Sequence, residues 1–296
     1  MFFYLKWEDK RPSVIHIVNE KPDKINFQNT FKIKSVEHTI CGFINPNFKE
    51  YLIPKLPYRK TNYLLSHLQK SVRLMDDMKS IKTAKHLIDL DYNSFIRRLP
   101  IIMLEDVNIH SCLPIIVWLM IANTKGFKVK VNIVKWLLGV IYHLSNCPEK
   151  IEYSNEDIGE IEIENEDIIL QTLRFRKAYG GMKGDLNMVE YFIHNIQNEN
   201  IKINDNKIPI VGIDFDNLHK NEWIIEANDF HCNRYITEHI FKKFPQYEKD
   251  YIKKLIWEFS SSINKRTNPK KIKSLEKDWN IISGTVRVFQ KNCIFY

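Results

Sequence analysis

Apolar positions change their spacing as the chain is read from its start. Over residues 1–60 they come in short β-branched or aromatic runs, VIHIV (14–18), FKIKSV (31–36) and TICGFI (39–44), separated by Pro12, Pro22, Asp23, Asn29 and Pro46. That pattern predicts a small sheet. The run LIPKLPY (52–58) carries two prolines, which can continue neither a ladder nor a helix interior, and it reads as a connector. From Thr61 the period becomes helical. Leu64, Leu68, Val72 and Met75 fall at i, i+4, i+8 and i+11 on one stripe, with Lys70 and Arg73 off it. Ile81, Ala84, Leu87 and Ile88 predict a second helix ending near Asp89. Asp91, Asn93 or Ser94 can cap a third that carries Phe95, Ile96 and Leu99, which Pro100 either kinks or follows with a new start. An apolar helix over 112–122 follows Ser111, Gly126 marks a stop, and Val131–Leu144 forms another buried helix.

Residues 151–168 change composition, with eight acids and no base, and read as an exposed connector. Beyond it, helices are expected at 167–179 and 185–197 with a Gly180–Gly184 turn between them, then a strand at Ile208–Phe215, helices near 233–244 and 246–263, a basic segment at 264–277 and a strand at 281–289. The fold class that results is α+β and predominantly helical. Its expected parts are a β-rich segment (1–60), a helical module (61–150), an acidic connector (151–168) and a mixed α/β C-terminal lobe (169–296).

Composition narrows the function classes. A 44% hydrophobic share with 27% charged residues fits a folded globular chain. The start shows no long apolar run followed by a small-residue cleavage site, and the most apolar run, Cys112 to Ala122, is too short to span a bilayer, so neither export nor membrane insertion is expected. Five scattered cysteines without a CxxC suggest reduced thiols in an intracellular, reducing compartment. The 44 Lys and Arg against 36 Asp and Glu leave a charge of +8, and removing residues 151–168 raises the remainder to +16. Such a balance attracts polyanions, although the abundance of Lys, Asn and Ile also matches AT-rich codons.

Familiar enzyme signatures are absent. Gly180-Gly181-Met182-Lys183-Gly184-Asp185 lacks the spacing and terminal hydroxyl of a phosphate-cradling loop. A constellation of Asp214, Asp216, His219, Asp229 and His231 offers oxygen and imidazole ligands. With Asp214 and Asp216 on one side of a strand, Asp214, Asp216, Asp229 and His231 could hold Mg or Mn and activate water against a phosphodiester. Equally, Asp-Asn is a turn signal and Asp229 a helix cap, in which case no cofactor is needed. Lys265, Arg266, Lys270, Lys271, Lys273 and Lys277 form the densest basic segment, with Trp257 and Trp279 near enough to stack bases; equally, the tryptophans can be core residues and the lysine run a solvated loop.

The strongest recurrent pattern is Ser66-His67-Leu68-Gln69-Lys70-Ser71-Val72-Arg73 with Asp76, then Arg97-Arg98-Leu99, then Glu105-Asp106-Val107, and later Val140-Ile141-Tyr142. Over about 63–145 it resembles the helical region that follows the ATPase core in the replication-associated recombination ATPases, the clamp-loader-like AAA+ family that includes the Werner-helicase-interacting protein. Asn108 stands where that family has glycine, Pro100 breaks the segment after Arg-Arg-Leu, and residues 1–60 cannot hold an ATPase core. The resemblance therefore implies assembly or DNA positioning without ATP hydrolysis. Lys70 and Arg73, three apart on one helix face, could meet a phosphate or pair with acids such as Asp76, Asp77 or Glu105. Arg97 and Arg98 are expected to pair with Glu105 and Asp106. The leading expectation is a non-enzymatic accessory protein of DNA replication, repair or recombination, contacting nucleic acid through Lys70, Arg73 and the 265–273 cations, or replication and repair proteins, with oligomerisation open. Its rivals are the metal-dependent nuclease and a protein-assembly module without nucleic acid.

Overall fold

The computed structural model describes residues 1–54, 61–153, 167–216, 218–228, 234–267 and 273–295. Four strands, β1 (Phe2–Trp7), β2 (Val14–Val18), β3 (Phe27–Ile33) and β4 (Val36–Ile44), form one mixed sheet in the order β2-β1-β4-β3. β1 runs antiparallel to β2 and parallel to β4, and β3 pairs antiparallel with β4. The expected run 31–36 is split by a turn in which Lys34 takes the left-handed conformation (φ 54°). One of the two central strands, β1, was not singled out by the pattern, because a continuous FFYLKW run has no clean alternation. Alternation is nonetheless what it uses: Phe3, Leu5 and Trp7 all turn to the helical side, Phe3 against Phe175 and Trp7 edge-on to Trp136.

Six helices complete the first body: α1 (Thr61–Arg73), α2 (Asp77–Asp106), α3 (Leu113–Thr124), α4 (Val131–Asn146), α5 (Ile168–Ala178) and α6 (Lys183–Gln197). α2 breaks at Asp91 (φ −157°, ψ 80°), whose carboxylate accepts from the Ser94 N–H at 3.0 Å and hydroxyl at 2.6 Å, so the expected cap between two helical stretches is present. α3 is buried from Leu113 to Ala122, on all sides. Its Trp118 Nε1–H is shared between the Phe3 carbonyl (3.1 Å) and the Cys41 carbonyl (3.0 Å), which ties the helix to both central strands.

A single apolar core runs from Phe3 to Ile208 and takes in the sheet together with α5 and α6. Two boundary expectations are thereby corrected. The first 60 residues are not a separate unit, since their apolar face finds its cover on the helices, and the acidic connector does not divide two cores. Residues 154–166 of that connector lie outside the described residues. The second core is C-terminal, formed by α7 (Arg234–Lys243), α8 (Lys249–Ile256) and α9 (Glu276–Phe295) around Ile240, Ile252, Ile256 and Ile282. α8 continues into a π turn at Trp257–Ser261.

Both C-terminal strand expectations fail. Residues 281–289 belong to α9: Trp279, Ile282, Val286 and Gln290 are its buried positions, at helical spacing, and packing on α7 and α8 overrides the β-branched composition. Residues 208–216 form no ladder among the described residues. They cross α4 as extended chain, with the Val211 N–H donating to the Lys135 carbonyl. The C-terminal lobe is thus helical rather than mixed.

The crossing requires Gly139. A Cβ there would lie 1.9 Å from the Pro209 oxygen, a main-chain atom that cannot rotate away. Gly139→Ala should lower stability by about 1–3 kcal/mol, the range for overpacking, read as a fall in thermal midpoint. Gly184→Ala, with nothing within 4 Å of the added carbon, should leave the midpoint unchanged or raise it.

Candidate functional site

The residues of the 66–76 motif converge on one buried polar node. α1 ends at Arg73, Met75 turns the chain in the left-handed conformation (φ 55°), and Asp76 caps α2 by accepting from the Lys79 N–H at 3.1 Å. The π turn after α8 brings its carbonyls against this corner. The Lys70 ammonium, fully buried, donates to the carbonyls of Ser260, Ser261 and Ile263. Arg73 donates through Nη1 to the Ser261 carbonyl (3.1 Å), through Nη2 to Glu105 (2.7 Å) and through Nε to Asp106. In return Arg266 crosses from the lobe into the body, donating to the carbonyls of Val72 (2.8 Å), Leu144 (2.5 Å) and Cys147 (2.7 Å). Asn264 donates to the Asp106 carbonyl, and the Lys265 N–H to the Arg73 carbonyl.

These acceptors are the orphan carbonyls at the C-terminal ends of α1, α2, α4 and the α8 π turn. Each such end carries roughly half a negative charge. Three cations directed at four helix ends and two carboxylates explain why charged side chains lie where solvent does not reach. Burial holds the Asp106 carboxyl above the ordinary carboxylate range, and Arg73 limits the rise.

Several sequence expectations change here. Of the two readings of Lys70 and Arg73 the pairing one holds for Arg73, which meets Glu105, while Lys70 turns inward to carbonyls, and neither is offered to a phosphate. Glu105 and Asp106 pair with Arg73 and not with Arg97 or Arg98, which precede them by eight residues, about 12 Å along the same helix. Arg97 donates instead to the Tyr179 carbonyl at 3.2 Å.

One residue of the motif that the pattern quoted without a role is His67. Its Nε2 accepts from the Ile224 N–H at 2.9 Å, so Nδ1 carries the proton and meets the Thr83 hydroxyl at 2.8 Å. This ring pins the segment 218–228 to α1, and the ion pair Lys82–Glu222 (2.6 Å) pins it to α2. Burial, with the Lys79 charge adding to it, pushes the imidazole down to about 4.

The Asp/His constellation does not assemble among the described residues. Asp214, Asp216 and His219 are exposed along the chain that leads from α4 to this segment, with no strand to align the two aspartates, while Asp229 and His231 lie outside the described residues. Among the described residues no group of three or more His, Cys, Asp and Glu could hold a metal ion. No helix among them is long and apolar enough to cross a membrane.

The basic segment divides. Arg266 is half-buried in the node, Lys265, Lys273 and Lys277 are exposed, and Lys270 and Lys271 lie outside the described residues. Trp279 is buried and stacks on Phe259 (5.2 Å, 5°), so it is no platform for a base, whereas Trp257 is 41% exposed. Along α8 and into the π turn, the exposed residues Lys249, Lys253 and Trp257 recur every four positions, with Lys254 beside them. Residues 234–296 hold fourteen Lys and Arg against six Asp and Glu, a net +8 that equals the charge of the whole chain. The first body is neutral, and the C-terminal lobe carries the excess.

No family model matches the chain, and no curated protein or solved structure matches it.

Breaking the node from one side should be costly. Arg73→Met leaves Asp106 buried without its partner and is expected to lower stability by about 3–5 kcal/mol, with Arg73→Met/Asp106→Leu recovering part of it in denaturant titrations. His67 supplies a pH signature. The unfolded ring takes up its proton near pH 6.5 and the folded ring only near pH 4, so stability is present above 6.5 and falls as pH drops through that window, by about 3 kcal/mol in all. Thermal midpoints measured from pH 7.5 to 4 should flatten in His67→Gln, though not completely, since His110 is also pushed down to about 4 by burial.

Proposed function

We propose that this protein is a non-enzymatic nucleic-acid-binding accessory protein whose contact surface is the C-terminal helical lobe. The observation that carries the reading is the placement of charge: a lobe of some sixty residues bears all of the chain's excess. Its exposed α8 stripe combines ammonium groups with an accessible tryptophan. Lysines at helical spacing follow a phosphate backbone, and a tryptophan beside them accepts a stacked base irrespective of its identity. The cations of the 66–76 motif serve a different end. They hold the lobe against a neutral body, so the binding surface is presented at a fixed angle. The resemblance of 63–145 to the helical region of the recombination ATPases supports placing this contact in DNA replication or repair.

A protein-assembly role is favoured by one further observation. On α9 the exposed Ile281, Gly284 and Val288 fall at spacings of three and four, a seam suited to another helix.

Titration of DNA and RNA strands at two salt concentrations, with a magnesium and manganese cleavage control, tests the proposal. Binding should weaken with salt, and Lys253→Glu/Lys254→Glu should weaken it further and reduce the salt slope by about two. Binding unchanged by the double reversal would sink the assignment to this lobe. No binding at low salt, with a concentration-dependent mass, would favour the assembly role.

A further inference from the structure

A cleft of about 480 Å³ opens beside the node, lined by Leu74, Asp76 and Lys79 from the α1–α2 corner, by Trp223 and Glu226 from the segment pinned by His67, and by Lys265 from the lobe. Its size is within the range of roughly 300–1,000 Å³ typical of small-ligand sites, which often lie where two units meet. We propose that this cleft receives one unstacked base of a single-stranded nucleic acid that tracks across the lobe. The inference rests on the nucleic-acid reading above and specifies what part of the strand is recognised.

The chemistry of the lining carries it. Lys265 belongs both to the basic segment and to the cleft wall, which puts a cation of that segment at the opening. Trp223 and Leu74 supply flat and apolar surface for a ring. Asp76 is already satisfied, by the Lys79 ammonium at 2.7 Å and by the helix start it caps. Glu226 is different: half-buried in the cleft wall, its carboxylate has no hydrogen-bond or ion-pair partner among the described residues. A carboxylate opposes a phosphate, and its presence in a cleft at the edge of a basic surface suits a ligand that brings a donor. The exocyclic amino group of cytosine is such a donor, and thymine lacks it. A base held in a duplex is stacked and has its amino group paired, which makes the single strand the fitting ligand.

The test compares oligo(dC) with oligo(dT) of equal length, and both with duplex DNA, using the full chain at neutral pH and fixed salt. Wild type should prefer oligo(dC) over oligo(dT) and both over duplex. Glu226→Ala, which removes the acceptor from a side chain with no bond among the described residues, should reduce the cytosine preference by roughly tenfold, the size of one lost base contact, while leaving oligo(dT) affinity equal or higher. Lys253→Glu/Lys254→Glu should weaken both strands alike. Equal affinity of the wild type for the two strands, or a preference that survives Glu226→Ala, would overturn the cleft assignment while leaving the lobe as a binding surface. Absence of binding to every probe at low salt would overturn the nucleic-acid reading itself, and the cleft assignment with it.

Discussion

Four helix ends that point their carbonyls at one spot create a concentration of negative partial charge that the rest of the architecture has to neutralise. Lys70, Arg73 and Arg266 do so, with Asn264 taking a remaining acceptor. The arrangement is reciprocal: cations of the body satisfy carbonyls of the lobe, and a cation of the lobe satisfies carbonyls of the body. Two apolar cores are therefore joined here by directional bonds. Apolar contact tolerates sliding, whereas a guanidinium with several fixed acceptors permits one geometry. Burying these charges is costly in itself, and what they secure is orientation.

That division of labour separates the cations of the chain into two populations. Those on α1 and at Arg266 are consumed inside the molecule, and a count of basic residues cannot distinguish them from those on the outer face of α8. Once the lobe is delimited, the formal charge resolves into a neutral body and a basic appendage. The acidic segment at 151–168 remains a feature of the sequence, although the body's core continues on both sides of it.

How far this was legible in the sequence depends on the range of the interactions involved. Helix periodicity over 61–146 and the Asp91 cap are local, and both are present. The Asp76 cap is local too, reaching the Lys79 N–H three residues on, and the Arg73–Glu105 pair was among the pairings the motif allowed; what depends on distant chain is the meeting of Lys70 and Arg73 with the π turn, 188 residues beyond Arg73, which makes the motif that suggested phosphate contact an internal clasp. Arg97 and Arg98 were matched with acids close in sequence, yet eight residues on one helix separate charges that a fold through three dimensions would have brought together. At 281–289 the β-branched residues alternate well enough to suggest a strand, and only the presence of α7 and α8 makes positions 279, 282, 286 and 290 the buried set. His67 had no signal: a histidine among core residues shows its role only when the chain that donates to it has been placed. Of the candidate site, the exposed lysines near 265–277 were legible, while the cleft lined by Trp223 and Glu226 was not, because its walls come from three separated stretches.

The burial of α3 from Leu113 to Ala122 reaches beyond packing. A helix that is apolar on every side has no surface of its own to show to water, and its tryptophan is bonded to two strands that lie more than seventy residues earlier. The sheet and the helices of the body are consequently inseparable as material: neither half, expressed alone, has a way to hide what the other covers. Any dissection of this chain into working pieces has one natural cut, between the body and the C-terminal lobe, and there the exposed remnants would be charged groups and carbonyls that water can solvate.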